Sequence, residues 1–458
     1  MVPTPPIPKA SRWRRTLKRL ALAAVVISIP AIALAVWYFS DCAPPDDSDL
    51  IVKFQPVPGE ENAYIPLAKV DFLPLDFKTY AKAHGRKVDE LYLIQRDPSL
   101  DPPLVEGFFQ QAEATLAGVD AALQRKMFQF PDFTDINQHM EEKDLTPLLN
   151  FSETHLHWAQ MNSRWDLALL DLRRLFDLAS KMHAAQHYFT EGLVANALEE
   201  IALRACDDLT ADPNTPRRAI DALRALLPDA GSEAAAFKSS LQVDYTRQKL
   251  LWNFMSDISQ FHRSLQRVGQ GEFKSAVLVA TTQVNRTLLN FANVSRAMAV
   301  WADAPYSIWR KQADDIESWS RWQPFQHRNA TGKQVIVSLW IQTPEVRISE
   351  LLRLKTLSGL TRVAIAARLF WEDHQKLPPT LADLMPQYLE KIPLDPYDGQ
   401  PLRYDAARGM IWSVGKIIQD LGGGKSASMI INTPAGKTST TEEEPTLALT
   451  FALPAMKK

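Results

Sequence analysis

A chain of 458 residues is long enough for one large or two medium domains, and 46% hydrophobic with 23% charged residues is typical of globular proteins. Pro outnumbers Gly by 31 to 17, which favours helices separated by proline-marked joints over a turn-rich β protein. The net charge of the whole chain is −2, but residues 1–19 hold six basic side chains and no acid, so the rest of the chain is acidic. An acidic body excludes nucleic acid as a partner, because contacts to phosphates need a basic surface.

Residues 20–39 are an apolar run without one charged side chain. At about 1.5 Å per residue, a helix of this length crosses the core of a bilayer. The basic leader precedes the run and four acids follow it: Asp41, Asp46, Asp47 and Asp49. Because basic flanks stay cytoplasmic, we predict a single-pass inner-membrane anchor with a cytoplasmic N-terminus and a large periplasmic body.

Two other N-terminal signals, a cleaved signal peptide and a lipoprotein signal, fit the residues less well than an uncleaved anchor. A signal peptide has a shorter apolar core, and the single Ala-x-Ala triplet, at residues 33–35, lies inside the run rather than after it. Acylation at Cys42 would need a small residue before it, where Asp41 stands. An oxidising compartment would allow a disulfide between Cys42 and Cys206. The simpler interpretation is that the two cysteines are unpaired and that one of them is a buried thiol.

Residues 40–101 are predicted to form a Pro- and acid-rich irregular arm, which we interpret as a spacer. Residues 102–343 are predicted to form an α-helical domain, either a bundle or a stack of hairpins, since apolar residues recur there at helical spacing. Thr215 and Pro216 are predicted to occupy the N-cap and first position of one helix. Helices are predicted at 104–126, 145–160, 165–182, 193–205, after 216, and at 233–258, 274–301, 307–319 and 344–374.

Residues 344–458 are predicted to form a long helix followed by a small β-meander cap. Two prolines after Leu377 stop the helix, and Thr380 caps a short helix. A Pro/Asp/Gly-rich turn then leads to a hairpin that pairs 402–404 with 410–414. The alternating segment 446–453 is expected to complete the sheet.

Within this region, the order helix, LPPTLADL, P-L-D-P-Y-D-G-x-P-L-x-Y and then Ile411-Trp412-Ser413-Val414-Gly415 resembles the globular part of type II secretion major pseudopilins. It also resembles the carboxy-terminal segment of membrane-anchored helical proteins of planctomycete-like bacteria. The resemblance covers roughly residues 360–424. In pseudopilins the membrane helix directly precedes the globular part, whereas some 320 residues intervene here, so assembly into a fibre is not implied.

The resemblance implies a Ca²⁺ site in the loop after this motif, for which Asp395, Asp398 and Asp420 are the acidic candidates. Calcium requires six or more oxygen ligands. In this chain residues 416–418, which are Lys, Ile and Ile, stand where acidic residues are expected. Asp395 and Asp398 are therefore also candidates for turn formers that hydrogen-bond their own backbone.

Two further groups of residues are candidate sites. His183, His187 and Glu191 are spaced by four residues and would therefore lie along one stripe of a helix. Two imidazoles and a carboxylate could bind zinc, and the alternative is that the histidines are structural. Residues 300–340 are rich in tryptophan, with arginines between the tryptophans. This cluster is interpreted either as a groove that binds sugars or peptides or as part of the core. These tryptophans are Trp301, Trp309, Trp319, Trp322 and Trp340.

The sequence therefore predicts a mainly α protein with one transmembrane helix, an extracytoplasmic helical domain and a small α+β pseudopilin-like cap. No catalytic motif and no required cofactor is identified, with Ca or Zn left open. The first hypothesis is a non-enzymatic scaffold or adaptor of the bacterial envelope that binds envelope or secretion proteins. The alternative is an envelope hydrolase acting on peptide or glycan, with its site in the helical domain. A sensor is a weaker third, because the 19-residue tail is too short for a signalling domain.

Overall fold

The computed structural model describes residues 40–87, 97–132, 144–229, 231–255, 282–317, 344–416 and 448–450, together with six isolated positions. Within these residues the protein is mainly α-helical, as predicted. The chain divides into two compact units. The larger comprises Asp47–Leu251, Val294–Glu317 and Gln342–Lys458, and the smaller comprises Met1–Asp46, Trp252–Asn293 and Ser318–Ile341.

The helices agree closely with the periodicity of the sequence. They are α1 (Tyr64–Leu67), α2 (Phe77–Ala83), α3 (Pro102–Leu123), α4 (Thr146–Met161), α5 (Trp165–Ala184), α6 (Phe189–Ala211), α7 (Arg217–Leu226), α8 (Ser232–Met255), α9 (Val284–Trp301), α10 (Tyr306–Glu317) and α11 (Pro344–His374). Some boundaries differ: α6 is longer than the predicted 193–205, and α9 begins at Val284, where residue 274 was predicted. At the start of α7 the difference is one residue, because α7 begins at Arg217 with Pro216 in the N-cap position, and no side chain caps it. Thr215 is therefore not the N-cap.

The hairpin of α5 and α6 lies at the centre of the larger unit. Apolar side chains recur along α5 on one face, so Ala168, Leu172, Leu175 and Ala179 are fully buried. The long helix α11 packs on α6 and α7 and also contacts the sheet of the cap. Helices α4 to α7, which short connections join, and the long helix α11 contribute side chains to one continuous core.

The segment that leads into α3 is part of this core, which corrects the prediction of a spacer. Leu67, Leu75 and Phe77 are almost fully buried against the side chains of α3 and its neighbours. Asp47 is tied to α8 at the same time, because it accepts hydrogen bonds from the Tyr245 hydroxyl at 2.5 Å and the Lys249 ammonium at 2.8 Å. The proline-rich composition produces short helical turns here, but apolar burial fixes them.

The cap contains the predicted meander. Strand β1 (Arg403–Asp405) pairs antiparallel with β2 (Met410–Trp412), and β3 (Ala448–Thr450) pairs with the other edge of β2. The predicted short helix after the double proline is a 3₁₀ turn at Leu381–Leu384, where the Thr380 N–H and hydroxyl donate to Asp383 at 2.8 Å. Local turn chemistry determines both features.

In the smaller unit, the described contacts surround the start of α9. Asp41 accepts from the backbone N–H of Asn285 at 2.7 Å and of Arg286 at 2.9 Å, as an N-capping carboxylate does. The side chain of Asn329 accepts from the Gln283 N–H at 2.9 Å and donates to Thr287.

Among the described residues, no helix combines the length and apolar character needed to cross a membrane. The predicted spanning segment, residues 20–39, lies outside the described residues apart from Ser28 and Val36.

Candidate functional site

The joint between α5 and α6 brings together several buried ionisable side chains. Helix α5 ends at Ala184, the backbone is extended at Ala185, and α6 begins at Phe189. The start of α6 is fixed by a capping contact in which the backbone N–H of Tyr188 donates to Glu191 at 2.8 Å. The joint thus interrupts the segment in which one continuous helix stripe was expected.

The prediction that His183, His187 and Glu191 follow a single helix is therefore wrong. His183 lies in the last turn of α5, His187 lies in the joint, and Glu191 lies in the first turn of α6. Capping of α6 stops the helical repeat that spacing alone suggested. All three side chains are nevertheless buried.

His183 is paired across the hairpin with an acid of α6. Its Nε2 lies 3.2 Å from Oε2 of Glu199, whose residue is 1% exposed. A second buried carboxylate on α8 is coupled to this pair: burial raises the pKa of Glu233, and the charge of Glu199 adds to the shift. Burial lowers the pKa of Lys355 on α11, against the opposing attraction of Glu233. The charges of Glu199, Glu233 and Lys355 thus affect one another's pKa, and His183 is joined to them through its bond to Glu199.

His187 is held as a neutral imidazole. Its residue is 3% exposed, and Nδ1 lies 2.8 Å from the carbonyl oxygen of Tyr188, to which it donates. Burial, followed by the neighbouring His183, lowers the pKa of His187 to about 4. At neutral pH its Nε2 is consequently an unprotonated acceptor.

A buried ion pair fixes the same region to the long helix. Arg347 of α11 donates to Asp244 of α8, and its guanidinium lies 4.1 Å from the ring centroid of Phe189. Burial raises the pKa of Asp244, and the charge of Arg347 and its hydrogen bond oppose that rise. This contact ties the first residue of α6 to α8 and α11.

A second polar network, which the sequence did not indicate, connects α3, α4 and α5. Nδ1 of His155 is hydrogen-bonded to Asp171, which is 2% exposed. Arg174 donates to Asp171 at 2.8 Å and grips Asp120 with two hydrogen bonds of 2.6 and 2.7 Å. The ring of His155 is stacked on Trp158, with centroids 5.8 Å apart. The available signal was the position of Asp171, an acid within the apolar stripe of α5.

The predicted tryptophan groove is not an open platform where the structure describes it. Trp301 and Trp309 are 2% and 1% exposed and stack on each other with centroids 5.0 Å apart. Their ring nitrogens donate to Gln312 and to the carbonyl of Ala304. This pair is core, because stacking uses the faces that a ligand would need. The remaining candidates, Trp319, Trp322 and Trp340, lie outside the described residues.

The three candidate calcium ligands are engaged by protein donors. Asp395 accepts from Tyr397 N, Ser413 Oγ and Val414 N at 3.0, 2.9 and 2.8 Å. Asp398 accepts from the Gln400 N–H at 3.0 Å, and Asp420 accepts from Trp412 Nε1 at 2.9 Å. The turn-forming role expected of Asp395 and Asp398 is confirmed.

A cation of the chain itself already lies between two of these acids. The Arg403 guanidinium donates to Asp398 and is 3.6 Å from Asp395. Hydrogen bonding to Asp398 raises the pKa of Arg403, with burial opposing. Within the described part of the chain, no three His, Cys, Asp or Glu side chains are grouped closely enough to hold a metal ion. Cys42 and Cys206 are free thiols.

The described ionisable clusters thus share one chemical character. The His155–Asp171, His183–Glu199 and Arg347–Asp244 pairs each join side chains of two different helices, and burial keeps these pairs away from water. Such an arrangement fixes helix packing, because removing either partner leaves an uncompensated buried group. Comparison with protein-family models, with curated proteins and with solved structures gave no match.

Proposed function

We propose that this protein is a non-enzymatic scaffold or adaptor of the bacterial cell envelope. In this proposal residues 20–39 anchor the chain in the inner membrane, the basic leader stays in the cytoplasm, and the helical body lies in the periplasm. The proposal combines the charge asymmetry around the apolar segment with the helical stack of the larger unit.

A binding role is supported by the buried polar side chains, which hold neighbouring helices together. His155 and His183, which would be natural general bases, are each only 8% exposed and hydrogen-bond to acids on the next helix of their hairpin, so neither imidazole is open to a polymeric substrate. In the described part of the chain these groups hold helices together, and stacked helices provide extended surfaces for partner proteins. The pseudopilin-like sequence of the cap supports partners among secretion or envelope assemblies.

Cross-linking in intact membranes tests this role. The tagged full chain is cross-linked, purified and analysed by mass spectrometry. The control bait joins residues 1–46 to an unrelated periplasmic domain, so it keeps the proposed anchor and lacks the helical body. The scaffold proposal predicts envelope or secretion proteins that are enriched with the full chain and absent from the control.

The hydrolase hypothesis predicts a different outcome. In that case the purified full chain cleaves peptidoglycan fragments or envelope peptides, and replacing either His155 or His183 by Gln abolishes the cleavage. Hydrolysis of this kind, together with identical cross-link partners for both baits, would refute the scaffold proposal.

A further inference from the structure

Two buried imidazoles lie side by side at the joint between α5 and α6. The ring centroids of His183 and His187 are 6.4 Å apart, and the ring planes are inclined by 59°. The two residues are 8% and 3% exposed. Each ring has one nitrogen held by the protein, so the chemistry of the pair depends on the other two nitrogens.

Those two nitrogens are the ring atoms through which the pair can bind a ligand. Nε2 of His183 is hydrogen-bonded to Glu199, and His187 donates through Nδ1 to the carbonyl of Tyr188, which leaves Nδ1 of His183 and Nε2 of His187. Both atoms are buried and neither has a hydrogen-bond partner. A carboxylate or carbonyl on the far nitrogen is the support that metal-binding histidines usually have.

The separation of the ring centroids is compatible with one ion bound between the two imidazoles. Two metal–nitrogen bonds of about 2 Å, extended by the ring radii, put the centroids about 6 Å apart in a linear arrangement and about 5 Å apart at the tetrahedral angle. The observed 6.4 Å is close to the linear value. Among the described residues no third His, Cys, Asp or Glu is grouped with the two imidazoles, so we take the pair itself as the ligand set.

We propose that His183 Nδ1 and His187 Nε2 bind one copper(I) ion in linear, two-coordinate geometry. Copper(I) is a closed-shell monovalent ion that accepts two ligands, and imidazole is a good copper ligand. Zinc would require about four ligands. The buried carboxylate of Glu199 balances the single positive charge through His183. This copper site does not depend on the proposed scaffold role, and it adds a metal ion to the ligands proposed for the protein.

A titration of the purified full chain under anaerobic, reducing conditions tests the proposal. Copper(I) is supplied as its complex with a chromophoric chelator, and the amount transferred to the protein is measured. The expected result is one ion per chain, with at least tenfold weaker binding in His187→Gln and in His183→Gln. The matched control, His84→Gln, replaces an exposed histidine of the same unit and should bind as the wild type does.

Sulfur ligands are the main alternative, since copper(I) also binds thiolates and thioethers. X-ray absorption of the loaded wild-type chain is expected to show two nitrogen neighbours and no sulfur, and Cys42→Ser is expected to retain the ion. Sulfur coordination, or unchanged binding in both histidine variants, would overturn the proposal. So would failure of the wild type to take up copper(I).

A third variant keeps both histidines and disturbs only their placement. A Cβ on Gly192 would lie 2.9 Å from Cε1 and 3.2 Å from Nδ1 of His187. Gly192→Ala should therefore displace the ring and weaken copper(I) binding, although Ala is otherwise the better helix former. Wild-type affinity in a folded Gly192→Ala chain would contradict the proposed geometry, even where a histidine variant fails to fold.

Discussion

Replacing Asp395 by Asn tests whether this carboxylate holds the cap together. Asp395 is fully buried, and its two oxygens accept three hydrogen bonds from Tyr397, Ser413 and Val414. An Asn side chain of the same shape keeps one oxygen, but its amide nitrogen faces the Val414 N–H. Two donors then oppose each other, and one backbone N–H in the interior loses its acceptor.

The magnitude follows from two opposing effects. A lost hydrogen bond to a charged group, with a buried N–H left unsatisfied, costs about 3 kcal/mol. Burial raises the pKa of Asp395, so the neutral amide avoids part of the cost of burying a charge. The net loss of stability is expected to be about 2 kcal/mol, which corresponds to a roughly 30-fold larger opening equilibrium constant of the cap and to equally faster hydrogen exchange.

Hydrogen exchange measured by mass spectrometry on the peptide that contains residues 410–416 reports this opening. Asp405→Asn is the matched control, because Asp405 accepts turn hydrogen bonds from Ala407 and Arg408 at the exposed end of the same hairpin. The control should change exchange much less. Unchanged exchange in Asp395→Asn would refute the reasoning, and so would protection of the wild-type peptide by added Ca²⁺, since Arg403 supplies the cation there.

Three further predictions concern the larger unit. Asp171→Ala leaves His155 and Arg174 without their shared buried acid, so urea unfolding should show a loss of about 3 kcal/mol in the free energy of unfolding. The double variant His155→Phe/Asp171→Leu should restore part of this loss. Burial raises the pKa of Asp47, but hydrogen bonds from Lys249 and Tyr245 and the charge of Lys249 outweigh it, so the net pKa is lowered. This stabilisation is complete above the unfolded pKa of about 4 and is lost as the pH falls through the folded value, so the stability difference between wild type and Asp47→Asn should be larger at pH 6 than at pH 3. Leu203→Ala should cost about 3 kcal/mol at every pH, because this fully buried side chain would leave a cavity.

Local patterns of the sequence predicted much of the fold. Trp165 opens the amphipathic stripe of α5, and helix α11 has the bounds that its flanking prolines suggested. The meander was predictable because turn residues act on their immediate neighbours, so the turn before Met410 sets the register of β1 and β2.

The polar interior was not predictable in the same way. Both buried His–acid pairs join residues 16 positions apart, on consecutive helices of a hairpin. Periodicity shows which face of a helix is buried, but it does not show which acid meets which histidine across the joint. The separate helices predicted at 165–182 and 193–205 already leave room for the joint, but its position was not predicted, because the stop signal is a capping contact between Tyr188 and Glu191 rather than a proline or glycine. The tryptophan pattern likewise fitted core and groove equally well.

The most direct test of the proposed role is the location of the helical body in a living cell. Full-length chains carrying alkaline phosphatase or a cytoplasmic fluorescent reporter at the carboxyl end are expressed in a bacterial host, and membranes are washed with alkaline carbonate. We expect active phosphatase, a fluorescent fusion without fluorescence, and retention of the chain in the washed membranes. A fluorescent fusion with inactive phosphatase, or release of the intact chain by carbonate, would contradict it.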